Sequence, residues 1–436
     1  AFTVGENATT CGDSVVIRYD NSLETFIVDG KDGQDSFIIT GNPLNVFGSS
    51  AVYGGAGDDV IQVNDIHKFG LTIDGGAGSD SYRIAASLSG PLTANDSSGP
   101  NYILIDGTSN ADTVEITSTE IKVNGATLYT FSSFSSGGLQ VSGIDGVNLN
   151  LNAGADLVTF FSLPTDVAVA VSGGADADTF AFDSLAALYL TGAQFDLHIY
   201  GNDGADSMAL DASGYGTGSL LENNLSGFGL LRPFYYYDPQ GFTASLALSP
   251  GDDALTWSAS LGSWTVDADT GNDSLLATNL GNIWQITQDD GGYIGSPTEF
   301  VFRGFENLSG GPGSDEFIFA DGVSLSGRLD GRAGSDTLNV SNQTAAQSVT
   351  LSAGGSTDGF TGTQALIDGG FDNLDALVGT LQDDTLMGAN LVNNWKLTAA
   401  NTGSLNNSFS FSSVEKLVGG NQNDSLDFSA YPSARD

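Results

Sequence analysis

The sequence predicts an all-β chain: a right-handed parallel β-solenoid of the β-helix or β-roll kind, with about 21 residues per coil. Three observations carry that expectation. A glycine-rich block closed by an aspartate recurs along the whole chain. Each block runs into a short stretch of Val, Ile, Phe, Leu and Thr, residues that suit a pleated, half-buried surface. The two best copies, within Gly54–Arg83, place Asp59 and Asp80 21 residues apart, close to one turn of a solenoid. A longer recurrence keeps a second organisation open, tandem β-domains of about 97 residues, because Asp59, Asp156 and Asp253 stand 97 residues apart.

Taken in order, the aspartates of the block are Asp13, Asp35, Asp59, Asp80, Asp112, Asp156, Asp178, Asp206, Asp253, Asp273, Asp315, Asp336, Asp384 and Asp424. Their intervals cluster near 21 or near twice that, which reads as one motif per coil with some coils having lost it. Strands are expected after each aspartate (SFIIT, DVIQV, TVEIT, TFAF, EFIFA, TLNV) and before the glycines (ETFIVDG, LTIDGG, VAVAVSGG, LHIYGN, EKLVGG). Only 220–231 and 372–378 are candidates for short helices. The rhythm breaks at 90–101, 213–241, 288–299 and 354–375, which read as loops. The expected organisation is therefore coils over 1–212, an aromatic insertion loop over 213–241 holding Tyr235, Tyr236 and Tyr237, and further coils over 242–436. Loops that bulge from a solenoid commonly carry its recognition surface; the alternative is that these aromatics cover a core edge.

Composition narrows the function. The 436 residues include 59 glycines, 53 acidic residues and 12 basic ones, a net charge of −41. Such a surface repels nucleic acid and anionic membranes, and repels itself unless cations neutralise it. The acids are spread along the repeats, which favours many small cation sites over one acidic tail. Cys11 is the only cysteine, so neither a disulfide framework nor a thiolate metal site is available. No apolar run reaches membrane-spanning length. The opening AFTVGEN and the closing FSAYPSARD read as cuts, as in a mature product or a segment of a longer protein.

Within each block the glycines allow positive φ and close backbone approach. The aspartate adds a hard charged oxygen, and the apolar residue two places on locks the turn into the core. Several oxygens at roughly 2.3–2.6 Å make a calcium site, and a solenoid can draw half of them from one coil and half from the next. The candidate ligands are Gly54, Gly55, Gly57 and Asp59 with Gly75, Gly76, Gly78 and Asp80; Asp156 with Asp178; Asp253 with Asp273; and Gly310, Gly311, Gly313 and Asp315 with Gly331, Gly334 and Asp336. Asp58, Asp176, Asp203 and Asp252 stand ready to complete a shell. The alternative is that the aspartates close their turns by hydrogen bonds and need no ion.

These blocks resemble the RTX, or hemolysin-type, calcium-binding repeats. Gly54–Gln62, Gly75–Arg83 and Gly310–Ile318 match the G-G-x-G-x-D-x-U-x nonapeptide at every defined position, U being apolar. RGFENLSGGPGSDEFIFADG, GRAGSDTLNVS and SSVEKLVGGNQNDSLDFSAY are similar to spaced repeats in giant bacterial surface and adhesin proteins. The resemblance implies calcium as cofactor, parallel β-rolls folded on the ion, secretion and a place at the bacterial cell surface. The chain departs from the family's tandem nine-residue spacing: one motif serves about 21 residues, so at most one interrupted row of ions is expected.

His67 and His198 are the only histidines, and no nucleophilic triad, zinc signature or P-loop is present. The adjacent acids Asp58–Asp59, Asp252–Asp253, Asp289–Asp290 and Asp383–Asp384 would point to opposite faces of a strand. The bases Arg18, Arg83, Arg232, Arg303 and Arg328 are scattered. The expectation is a non-enzymatic, extracellular, calcium-stabilised scaffold that assembles head to tail with copies of itself into a filament, fibre or surface layer. The rivals are an adhesin or carbohydrate-binding module that docks on cell-surface polysaccharide, and a β-helical polysaccharide lyase or hydrolase.

Overall fold

A computed structural model of the chain describes residues 2–4, 26–39, 50–64, 71–85, 92–96, 98–130, 139–142, 144–188, 194–214, 216–258, 262–278, 281–296 and 299–431. Cys11, Asp13, Arg18 and His67 lie outside the described residues. The fold is all-β, with mostly parallel strands in large sheets; a four-residue helical turn at Leu185–Leu188 is its one helical element among the described residues. No helix among them is long and apolar enough to cross a membrane. The chain divides into two units, Ala1–Leu210 with Leu230–Thr243, and Asp211–Gly229 with Ala244–Asp436.

In the first unit one sheet passes in parallel through Phe26–Asp29, Ser50–Ala56, Leu71–Ala77, Leu92–Asn95 and Leu139–Ser142. The antiparallel hairpin Glu120–Val123/Ala126–Thr130 joins it to a further parallel run, Thr113–Ile116, Leu157–Phe160, Thr179–Phe182 and Ser207–Asp211. The other sheet is parallel throughout: Ser36–Ile39, Val60–Val63, Ser81–Ala85, Tyr102–Asp106, Gly146–Asn150, Ala168–Ala175, Leu197–Asp203 and Phe234–Tyr237. Strands alternate buried and open residues, and equivalent residues stack in register, Ile61 on Tyr82 and Tyr82 on Ile103. Phe160 stacks on Phe182 at 4.7 Å, and Phe182 on Phe234 at 5.0 Å, so the inner faces of the two sheets share one core.

The second unit repeats the plan. One sheet passes through Thr217–Leu221, Ala254–Trp257, Ser274–Ala277, Asn307–Ser309, Leu329–Asp330 and Ile367–Leu374 in parallel. Phe360–Gln364 then pairs antiparallel on both sides and leads to Ser348–Gly354, Thr385–Met387 and Lys416–Val418. The other sheet includes the parallel run Ile283–Gln288, Glu316–Phe319, Thr337–Asn339, Ala376–Val378 and Phe409–Ser412. Trp257 and Phe300 meet between the sheets at 4.7 Å.

Several expectations are corrected. The helical candidates 220–231 and 372–378 hold strands instead: Thr217–Leu221 pairs with Asn224–Gly227, placing Leu220 opposite Leu225, both wholly buried, and Ala376–Val378 joins its sheet. Residues 213–241 are not a loop but carry three strands. The alternation of Phe234–Tyr237 sends Phe234 and Tyr236 into the core and leaves Tyr235 and Tyr237 on the outer face. The loops expected at 288–299 and 354–375 contain Gly291–Ile294 and Phe360–Gln364 as added antiparallel strands. The 44-residue interval from Asp112 to Asp156 is not two coils: Thr113–Ile116 pairs directly with Leu157–Phe160, so it is one step lengthened by a hairpin. The 97-residue recurrence has no structural counterpart either, because Asp59 leads into a strand of one sheet and Asp156 into a strand of the other.

Candidate metal centre

Each described motif aspartate sits one residue ahead of a strand, and all but Asp206 and Asp424, which end their rows, donate the backbone N–H to the side chain at the same place in the next step. In the first unit one row runs Asp35 to Asp59 Oδ1 (2.7 Å), Asp59 to Asp80 Oδ1 (2.7 Å), Asp80 to Asn101 Oδ1 (2.8 Å) and Asn101 to Asp145 Oδ2 (2.9 Å). A second row runs Asp112 to Asp156 (2.6 Å), Asp156 to Asp178 (2.9 Å) and Asp178 to Asp206 (2.8 Å). In the second unit the rows are Asp253, Asp273, Glu306; Asn282, Asp315, Asp336, Asp375; Gln347, Asp384, Glu415; and Asn393, Asp424. The four expected pairs are therefore true neighbours, joined by a backbone N–H. These hydrogen bonds form several rows, at both corners where the chain passes between sheets.

The glycines of the block make room for this. A Cβ on Gly54 would fall 2.2 Å from Asp59 Oδ2 and 2.5 Å from the Gly75 carbonyl. Gly75, Gly310 and Gly331 stand in the same relation to Asp80, Asp315 and Asp336. The first glycine thus acts through the space it leaves, not through positive φ. The later ones use both: Gly55 lies at φ 116° with its Cβ position 1.7 Å from the Lys31 carbonyl, and Gly57 at φ 132° against Gly33. Gly76, Gly78 and Gly334 crowd the carbonyls of Gly55, Gly57 and Gly313 in the same way, and the Gly311 N–H donates to Asp315 Oδ2 at 2.9 Å.

Where no such local donor exists, one carboxylate oxygen is left over. Oδ2 of Asp35, Asp59, Asp80, Asp156, Asp178, Asp206, Asp273 and Asp336 is buried without a hydrogen-bond partner. Burial pushes Asp59, Asp156 and Asp273 up to about 6, and Asp178 and Asp336 up to about 7; the bond from the preceding N–H opposes this, and neighbouring acids add to it. Asn101 shows the neutral solution at the same position: its Oδ1 accepts from Asp80 and its Nδ2 donates to the Gly99 carbonyl at 3.0 Å. At the Gly54 turn the donor set fits calcium in kind, since Asp59 Oδ2, free and hard, flanks Gly54 together with the Gly75 carbonyl.

Sequence reasoning missed the residues that end four of the six rows. Asp145, Glu306, Asp375 and Glu415 accept from the last motif residue but belong to no glycine block. The backbone then turns back: the N–H groups of Asp145 and Asp375 donate to the carbonyls of Asn101 and Asp336. A signal was present in Ile-Asp-Gly-Val, Phe-Glu-Asn-Leu, Leu-Asp-Ala-Leu and Val-Glu-Lys-Leu, an acid between two core positions. Ile144, Phe305, Leu374 and Val414 are the buried residues that open these four.

The adjacent acids do not converge. Asp59 is buried while Asp58 is exposed and accepts from the Ser79 N–H at 2.9 Å. Asp252 accepts from Asn272 and Asp176 from Gly154; Asp203 is exposed. Asp289 and Asp290 accept from Ser324 and Ser326. His198 lies on the outer face, stacked with Tyr235 at 5.1 Å, beside Tyr200 stacked with Tyr237 at 5.1 Å. Among the described residues one trio of carboxylates, Asp336, Asp358 and Asp375, presents an oxygen each within 4.8 Å of the others. Neither protein-family models nor characterised proteins offer a match to this chain.

Proposed function

We propose that this protein is an extracellular structural scaffold of a bacterial surface, akin to the RTX repeat proteins. In this reading its sheets wind as a right-handed solenoid, calcium occupies the strict turns, and copies assemble head to tail into a filament, fibre or surface layer. The observation that carries it is the repeated staple, one side-chain oxygen per step bound to the preceding step's N–H. That device serves stacking, and in this reading the chain does no chemistry on a substrate. The residues that would hold calcium are Asp59 and Asp80, Asp156 and Asp178, Asp253 and Asp273, and Asp315 and Asp336, each with the carbonyls of its turn. The ion would neutralise Oδ2 of Asp59, Asp80, Asp156, Asp178, Asp273 and Asp336, which now face no partner, whereas both oxygens of Asp253 and Asp315 already accept hydrogen bonds.

The test is light scattering and electron microscopy of the chain in calcium and in chelator. Calcium-dependent polymers are expected; a monodisperse monomer at every calcium level refutes assembly. An equal melting temperature in both buffers refutes the calcium part, because an ion bound only by the folded chain must stabilise it.

The outer aromatic face favours a second reading, a carbohydrate-binding module, with His198, Tyr200, Tyr235 and Tyr237 side by side. Tyr236 is wholly buried and takes no part. Retention on polysaccharide columns that Tyr235→Ala and Tyr237→Ala abolish would establish this reading over a passive scaffold; equal retention removes it.

A further inference from the structure

We propose that Asp358 and Asp375, neither from a glycine block, join the motif carboxylate Asp336 in a divalent-cation site that the inserted hairpin completes, an inference that rests on the reading of Asp336 as a calcium ligand. Asp336 precedes strand Thr337–Asn339, and Asp375 precedes the neighbouring strand Ala376–Val378. Asp358 comes from the turn between Ser348–Gly354 and Phe360–Gln364. Two backbone bonds hold the newcomers in place: Gly334 N–H donates to Asp358 Oδ2 at 3.1 Å, and Asp336 N–H to Asp375 Oδ2 at 3.0 Å. The turn itself is fixed by Asn373, buried and at φ 56°, whose Oδ1 accepts from Thr357 and Asp358 and whose Nδ2 donates to Asp330 and Ser356.

What remains free points to a ligand. Asp336 is wholly buried, and its Oδ2 has no hydrogen-bond partner. Asp358 Oδ1 is likewise buried and unpartnered. Among the described residues no ion pair involves any of the three; nearby Arg328 is engaged with Asp372 at 2.7 Å. Three carboxylates this close, without a counter-charge, repel strongly in a low-dielectric setting. The Asn373 carbonyl flanks Gly331 together with Asp336 Oδ2 and offers a fourth oxygen. An all-oxygen set without His or Cys suits a hard cation such as calcium.

The site stands independently of polymer assembly, whose failure would leave the ion count unchanged. The experiment is equilibrium dialysis of the full chain against calcium chloride, with Asp358→Asn and, as an exposed control, Asp368→Asn. Asparagine keeps an acceptor for the Gly334 N–H, so the turn retains its anchor. Wild type and D368N are expected to bind one ion more than D358N, or to bind that ion at least tenfold more tightly. Calcium should slow hydrogen exchange of amides 355–359 in wild type and not in D358N. In chelator D358N should melt no lower than wild type, since it loses repulsion and no bond. Equal ion counts and affinities in wild type and D358N, equal losses in D358N and D368N, or a lower melting point of D358N in chelator would each overturn the proposal.

Discussion

Replacing Asp178 by Asn separates the two jobs of a motif carboxylate. Asp178 is 1% exposed; its Oδ1 accepts from the Asp156 N–H at 2.9 Å, and its Oδ2 has no partner beneath Gly173. Burial foremost, then the charges of Asp156, Asp206 and Asp176, push its pKa from 3.8 to about 7. A folded-state pKa above the unfolded one means that this group's contribution is fully present below about pH 4 and is lost as pH rises through 7. About three units at 1.36 kcal/mol each make the charged form cost about 4 kcal/mol in the folded chain. Asn keeps the acceptor and carries no charge, as Asn101 does in the other row. In chelator at pH 8, D178N should exceed wild type by on the order of 2–4 kcal/mol, and near pH 4 the difference should vanish. Urea unfolding at pH 4, 6 and 8 measures this, with hydrogen exchange at the Asp156 amide as a local readout. A variant less stable than wild type at pH 8, or a difference that does not change with pH, refutes the reasoning. Asp59, Asp156, Asp273 and Asp336 share the sign, so the metal-free wild type should itself lose stability between pH 4 and 8.

Two further substitutions test the geometry. Gly54→Ala should destabilise by at least about 1–3 kcal/mol, because its Cβ meets Asp59 Oδ2 at 2.2 Å, while Gly354→Ala, with nothing within 4 Å, should leave the melting temperature nearly unchanged. Glu306→Ala strips the acceptor from the Asp273 N–H, a bond of 2.6 Å, and should cost about 1–3 kcal/mol in urea unfolding; Glu306→Gln should restore most of it.

The period, the strands and their parallel pairing were legible because glycine, aspartate and an apolar residue each leave a strong local mark. The rows were not. Sequence order interleaves two corners, so the interval from Asp80 to Asp112 is a change of row, while that from Asp112 to Asp156 is a single step. Pairing decides which is which, and pairing is a long-range property. Glu306, Asp375 and Glu415 escaped notice because the position asks only for a side-chain oxygen, which Asp, Asn, Glu and Gln all supply. The aromatics of 234–237 were read as a loop because all four are aromatic and hide their alternation; only burial distinguishes Tyr236 from Tyr235.

The staple also explains why the spacing is so loose. Successive members of a row are 20 to 44 residues apart in sequence, yet their bonds span only 2.6–3.0 Å. Contact between steps is made by paired strands and a few side-chain bonds, so the chain between them is free to lengthen. Closing a loop twice as long costs only about 0.6 kcal/mol more. Hairpins such as Ser348–Gly354 with Phe360–Gln364 can therefore be added without breaking a row. An insertion that carries an acid to a row's end, as this one carries Asp358 beside Asp336 and Asp375, then turns a structural staple into a cluster with oxygens to spare.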